Sequence, residues 1–193
     1  MIPVALRTAR LLLRPWASTD APALLPVLER NRAHLEPWIP PHVAAPAPLD
    51  ALAERLARFA DDFAAGRAFR YALVALDEGR LLGEAGLFPR DASRRVPLSQ
   101  ADRVELGYWL DRDVTGRGFA TEAAGALLEL AKTLKHVTCA EIRCETENEP
   151  SRRVPMRLGF TLAETLPEVS LRSEARPVLL EVWTLVAATP DSQ

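Results

Sequence analysis

The sequence predicts a single domain of mixed α+β class, and three observations predict it. Its 193 residues and 21.3 kDa fit one domain, since domains cluster at about 100–200 residues. Period-two apolar stretches and period-3.6 stretches both alternate and cluster along the chain, which is the mark of strands and helices sharing one sheet. No internal repeat or linker divides it. With 48% apolar and 26% charged residues, the chain has enough core-forming material to fold without disulfides or metal.

The elements follow in order. Arg10 to Arg14 (RLLLR) reads as a short strand. Ser18, Thr19 and Asp20 offer helix caps and Pro22 suits a first turn. Leu24, Leu25 and Leu28 follow as a helix in which Pro26 predicts a kink. Pro37, Pro40, Pro41, Pro46 and Pro48 predict an ordered loop, because proline neither continues a helix nor donates to a sheet. Asp50 is expected to cap a second helix with the stripe Leu52, Leu56, Phe59 and Phe63. Phe69 to Leu76 and Leu81 to Phe88 read as strands joined around Asp77, Glu78 and Gly79. Arg90 to Asp102 reads as an exposed loop and Val104 to Leu110 as a third strong strand. Ala120, Ala123, Ala124, Leu127, Leu128, Ala131 and Leu134 then give the clearest helical periodicity in the chain. Thr138 to Glu145 is a strand, Glu149 to Leu158 a short helix closed by Gly159, and Thr161 to Leu166 and Val178 to Val186 are the last strands.

Composition excludes several functions. A net charge of -2 suits a polyanion binder poorly, so no nucleic-acid partner is expected. No run approaches the roughly 18 apolar residues of a membrane span, and the start MIPVALRTARLLLRPW lacks the order of a secretory signal. A cytoplasmic protein is expected. Cys139 and Cys144, five apart in one strand, should point to opposite faces, and both are expected as buried structural thiols. His34, His42 and His136 show no metal-ligand spacing, and no metal is expected.

The chemistry concentrates in VELGYWLDRDVTGRGFATEAAGALLELA, Val104 to Ala131. It reads strand, glycine-bearing turn, helix N-terminus. That order points unpaired backbone N–H groups and the positive end of a helix dipole at one spot, and glycine lets a ligand approach closely. A phosphate or pyrophosphate cradle is the chemical consequence, with Arg117, and Arg112 beside it, able to add charge-assisted contacts. A tight turn without a ligand is the plainer reading of the glycines alone. A dinucleotide fingerprint fails, since Thr121 occupies its last position and the strand is not the first of a parallel array.

This passage resembles the GNAT superfamily of acyl-CoA-dependent N-acetyltransferases. The family's pyrophosphate loop Q/R-x-x-G-x-G/A corresponds to Thr115, Gly116, Arg117, Gly118, Phe119 and Ala120, with Thr115 replacing the usual glutamine or arginine. ENEPSRRVPMRLGF, Glu147 to Phe160, looks like the family's N-x-x-S-x-x-x-x-x-x-L-G-F segment. TARLLLRPW near the start and NRAHLEPWIP at Asn31 to Pro40 look like the Rim-type branch, which acetylates ribosomal-protein N-termini. The resemblance covers about residues 8 to 186.

The resemblance implies a single domain over residues 1–193, with a mixed, mostly antiparallel sheet of about seven strands, splayed in the middle and flanked by about four helices. It implies acetyl-CoA as co-substrate, without metal, bound by Tyr108, Trp109 and Leu110 along the strand and by Thr115, Gly116, Arg117, Gly118, Phe119, Ala120 and Thr121 in the turn. Asn148 is implied at the pantetheine amides. Glu105 is implied as general base, two residues before Gly-Tyr. A carboxylate in an apolar strand needs a partner or a task, so a buried salt bridge to an arginine is the other reading. Ser151 is implied as proton donor to the departing thiolate, or as a plain helix cap. Tyr108 ranks below it, because alternation sets Tyr108 opposite Glu105. Pro155, where a helix normally continues, predicts a shortened or bent helix around Ser151. Trp38 is expected either as an acceptor rim or as a plug of the core.

A neutral amine is required for attack. At pH 7 this costs about 1 kcal/mol for an α-amine and roughly 4.6 for a lysine. The implied acceptor is a protein N-terminal amine. A small-molecule amine (antibiotic, polyamine or amino acid) and a non-catalytic CoA-binding module stand as alternatives. The terminal strand could pair across a homodimer.

Overall fold

The period-two stretches pair into one sheet, and the period-3.6 stretches cover its two faces. In the computed structural model, which describes residues 2–170 and 176–186, the strands are Leu6–Arg7 (β1), Leu11–Pro15 (β2), Phe69–Ala75 (β3), Leu81–Arg90 (β4), Arg103–Leu110 (β5), Cys139–Glu145 (β6), Thr161–Val169 (β7) and Pro177–Val186 (β8). The helices are Ala21–Leu35 (α1), Pro41–Ala44 (α2), Leu49–Ala64 (α3), Phe119–Lys132 (α4) and Glu149–Arg157 (α5). Strand order is β1-β2-β3-β4-β5-β6-β8-β7, and every neighbouring pair among the described residues is antiparallel except β5 with β6.

The sheet is therefore mixed and mostly antiparallel as expected, with eight strands instead of about seven and five helices instead of about four. The added strand, β1, has two residues and carries no periodicity to read. The added helix, α2, corrects the expected loop: Pro41 sits in its first turn, where a missing N–H is no loss. Two smaller corrections have similar causes. α3 starts at Leu49 after Pro48, so Asp50 lies inside the first turn and accepts from the Ala51 N–H at 2.9 Å. The expected loop after β4 buries Val96 and Ala101 and makes a short helical turn at Leu98–Gln100. α1 runs from Ala21 to Leu35 with Pro26 inside it.

One face of the sheet, with Leu11, Leu13, Tyr71, Leu73, Leu87 and Leu106, packs against α4 through Ala123, Leu127 and Leu128. Burying each such leucine contributes about 1.5–3 kcal/mol, so packing rather than propensity holds α4. The other face, with Ala72 and Trp109, packs against Leu24, Val27 and Leu28 of α1 and Leu52 and Leu56 of α3. Cys144 is buried as expected, but Cys139, at the start of β6, is only half-buried.

The parallel pair positions the site. β5 and β6 are in register only from Arg103 to Leu106 against Cys139 to Ile142. Beyond that point β5 continues to Leu110 beside β4, while Arg143, Cys144 and Glu145 stay with β8. The sheet parts there, and backbone groups of residues 107–110 on that side have no strand partner. No helix among the described residues is long and apolar enough to cross a membrane.

Candidate active site

The parting of β5 and β6 opens a cavity of about 520 Å³ at its Glu105 end. A second, of about 200 Å³, lies over the glycine turn. Trp38, Ile39, Tyr108, Trp109, Asn148 and Ser151 line both, so the two are ends of one cleft. Leu110, Thr115, Gly116, Gly118, Phe119, Ala120 and Thr121 line the turn end, and Glu105 lines the other. Arg117 lines neither: its side chain is exposed and its carbonyl accepts from Arg10 Nη1 at 3.0 Å. Arg112 is likewise exposed and lines neither cavity.

The turn end is built from unspent donors. Gly116 and Gly118 hold φ of 75° and 82°, a left-handed backbone that side chains resist. Among the described residues, the N–H groups of Gly116, Arg117, Gly118, Phe119 and Ala120 have no protein acceptor. They are the orphan donors of a helix start plus the turn before it. The Thr121 hydroxyl is also buried without a partner. Thr115, in contrast, donates to the Arg112 carbonyl at 2.8 Å and so closes its own turn.

Two side-chain clusters hold this turn in place, and sequence reasoning assigned neither. Glu122 Oε1 accepts from Thr8 Oγ1 at 2.6 Å and the Arg10 N–H at 2.9 Å, and Oε2 accepts from Arg10 Nε at 2.7 Å. Burial alone would raise its pKa, but these donors hold the carboxyl below its usual range. Arg10 also lies over the Phe119 ring at 4.2 Å. On the other side, fully buried Asp111 pairs with Arg30 and accepts from Asn31 Nδ2 at 3.0 Å, while Asn31 Oδ1 accepts from the Arg112 N–H at 2.9 Å.

In the middle of the cleft Asn148 caps α5, its Oδ1 accepting from the Ser151 N–H at 3.2 Å. The Ser151 hydroxyl donates to Tyr108 Oη at 3.3 Å, and Tyr108 Oη donates to the Ser151 carbonyl at 3.0 Å. Tyr108 is thus a neighbour of Ser151, and it shares a cavity with Glu105 although alternation sets them on opposite faces. The reason is that the split exposes the strand's edge, which both faces reach. Burial pushes the Tyr108 phenol well above its usual value. α5 does end one residue before the expected Leu158, with Pro155 inside it.

At the far end Glu105 is partnered. Its Oε2 accepts from Arg90 Nη1 at 3.2 Å and its Oε1 from Arg95 Nη2 at 3.1 Å. Arg90 also reaches Glu141 Oε2 at 3.1 Å, and Glu141 takes Arg103 at 2.9 Å and Arg143 at 3.1 Å. Buried Arg70 pairs with buried Glu84, whose Oε2 accepts from Trp16 Nε1 at 2.8 Å. A carboxylate offers about four lone pairs, so Glu105 keeps one free on each oxygen. Trp38 is half-buried at the rim, neither fully exposed nor part of the core. His34 and His42 also line the cleft, and burial, chiefly, lowers the pKa of both. The Cys144 thiol, pushed by burial and then by Glu181 up to about 11, is neutral at pH 7. No group of three or more His, Cys, Asp or Glu among the described residues is arranged to hold a metal.

Residues 10–161 match the model of the acetyltransferase (GNAT) domain. The chain is 30% identical over 83 residues to the ribosomal-protein-serine acetyltransferase of Escherichia coli, a stretch covering 43% of this chain and 45% of that protein. It spans about half the length of the curated relatives it matches. Among solved structures, the RimL ribosomal L7/L12 α-N-protein acetyltransferase in complex with coenzyme A superposes with a TM-score of 0.78 at 19% identity, over 96% of this chain and 97% of that one. The microcin C7 self-immunity acetyltransferase MccE, in complex with acetyl-CoA and AMP, gives 0.76 at 17% identity, over 93% and 94%.

Proposed function

Because the chain belongs to the acetyltransferase (GNAT) family, we propose that it moves the acetyl group of acetyl-CoA onto a primary amine, a protein N-terminal α-amine being the acceptor. The single observation that carries this reading is the continuity of the cleft. One end offers five unspent backbone donors, the other a carboxylate with free lone pairs, and six residues line both ends. The names of the ribosomal-protein relatives support the acceptor.

The residues present fit the co-substrate. The N–H groups of 116–120 and the orphaned Thr121 hydroxyl are the donors a diphosphate needs. Asn148, and free backbone groups along Tyr108, Trp109 and Leu110, would hold the pantetheine arm as an added strand. Bound there, acetyl-CoA supplies an activated acyl group as a thioester. Glu105 takes the proton that the amine loses, directly or through one water. Arg90 and Arg95, each paired with one of its oxygens, hold its carboxylate in place. Ser151 donates a proton to the departing sulfur and recovers it from solvent at the half-buried cleft. Trp38 forms the rim past which the acceptor enters.

Glu105→Gln tests the reading. Thiol release from acetyl-CoA with a peptide acceptor should fall about 10²-fold or more, with acetyl-CoA affinity unchanged. A variant that kept its full rate would remove the base assignment. The small-amine reading is favoured by the MccE likeness, which shows the same fold on a self-immunity enzyme. A panel of N-terminal peptides and small amines separates the two by which acceptor gives the higher kcat/KM. Binding of acetyl-CoA without release against any amine would leave a CoA-binding module.

A further inference from the structure

We propose that Pro155 is a positioning residue. By withholding an N–H from the Ser151 carbonyl, it draws the Tyr108 hydroxyl onto that carbonyl and so ties α5 to β5 across the cleft. The inference rests on the reading of Ser151 as the proton donor.

In an α-helix the N–H of each residue bonds the carbonyl four positions earlier, and for position 155 that carbonyl belongs to Ser151. Proline has no N–H, and its ring crowds the carbonyl it faces. The Ser151 carbonyl is part-buried, and leaving it unmet there is costly, so a substitute donor from elsewhere in the fold is favoured. Tyr108 Oη supplies it at 3.0 Å. The same oxygen accepts from Ser151 Oγ at 3.3 Å, so one phenol serves both the backbone and the side chain of the serine.

Tyr108 stands two residues beyond the last β5–β6 pair, at Leu106, where the strands have already separated. Among the described residues, these two are the side-chain hydrogen bonds joining 107–110 to 148–158. They span the cleft from one wall to the other. Their direction decides which hydroxyl is available. Tyr108 commits its only proton to a backbone carbonyl, whereas the Ser151 proton rests on a phenol oxygen and can swing to an incoming sulfur. An ordinary residue at 155 would bring an N–H to the Ser151 carbonyl, so that Tyr108 is no longer its sole donor and the phenol proton is freer to turn into the cleft. The residue type at 155 therefore selects between two candidate donors.

The test is a double-mutant cycle of Tyr108→Phe and Pro155→Ala, read first by thermal unfolding without ligand. Tyr108→Phe alone should lower Tm by about 4–8 °C, the size expected for the two hydrogen bonds it removes in a chain of this length. In the Pro155→Ala background the same change should cost about half as much, because the alanine N–H now serves the carbonyl while the Ser151 hydroxyl still loses its acceptor. In turnover, Tyr108→Phe should lower kcat about tenfold with the KM for acetyl-CoA little changed, and adding Pro155→Ala should restore it to within about threefold. Additive losses of Tm overturn the proposal whether or not the protein transfers acetyl groups. Coupled losses in a protein inert toward every amine support the pairing, and the proposed reaction alone fails. Should Tyr108→Phe not fold, Pro155→Ala alone serves. The chain has two tyrosines, and absorbance at 295 nm should show one of them ionising at lower pH than in the unchanged protein, while an unmoved titration overturns the proposal.

Discussion

The two ends of the cleft are built on opposite plans. At the glycine turn, five backbone donors and one hydroxyl have no partner among the described residues, and the chain spends arginine and carboxylate side chains around them to hold the turn. At the Glu105 end, the cleft-lining charges Arg70, Glu84, Arg90, Arg95 and Glu105 are all engaged with one another or with Glu141. The first plan suits a ligand that brings its own charge and needs only donors. The second suits a reacting group that must sit still, since ion pairs fix a carboxylate while leaving lone pairs free.

The comparison can be broken at the most buried carboxylate of the Glu105 end. Glu141, with 2% of its side chain exposed, accepts from three arginines, and Arg90 is left half-served without it. Glu141→Ala should cost about 3–5 kcal/mol, as loss of one partner from a buried charge network does, and drop Tm by roughly 10 °C in a thermal melt. At the other end the same size of change should act on binding. Gly118→Val forces a branched side chain to φ of 82°, at about 1–2 kcal/mol of strain. Acetyl-CoA affinity by calorimetry should fall at least tenfold, with little loss of fold. A Tm loss larger than the affinity loss would mean that the turn is structural rather than a ligand cradle.

The smallest effect sharpens the contrast by pH. Burial works to raise the Asp111 pKa, but the Arg30 and Asn31 side chains and the Asp113 N–H hold it below the usual range. Its folded pKa therefore lies under the unfolded value of about 3.9, so its stabilisation is complete above about pH 4 and is lost as pH falls through the folded value. Asp111→Asn should remove part of the stability difference between pH 6 and pH 3 in urea titrations. An unchanged difference would assign the acid sensitivity to other carboxyls.

Local chemistry was legible and distant pairing was not. Gly116 and Gly118 before an apolar 3.6 repeat can hardly be anything but a turn into a helix, and α4 starts at Phe119 as that spacing requires. The parting of the sheet came only with the family resemblance. Glu105 was visible as a carboxylate in an apolar strand, but not which of many arginines would meet it; Arg90 ends β4 and Arg95 lies on the return of the chain after it. The anchors of the turn are still farther off, Arg10 and Glu122 being 112 residues apart and Asn31 and Asp111 80 apart. A lone buried asparagine and an acid in a helix's first turn were the available signals. Alternation set Tyr108 and Glu105 on opposite faces but did not reveal that both reach one cavity, because β5 loses its neighbouring strand at Leu106.

That short parallel register has one more consequence. β3, β4 and β5 succeed one another as adjacent antiparallel strands, and β7 and β8 do likewise, so most of each half can zip up from nearby chain. The four residues Arg103 to Leu106 are where the halves are stitched, and that seam must wait for the whole of α4 to be threaded between them. The crevice just past the stitch exists only in a chain whose two halves have already found each other.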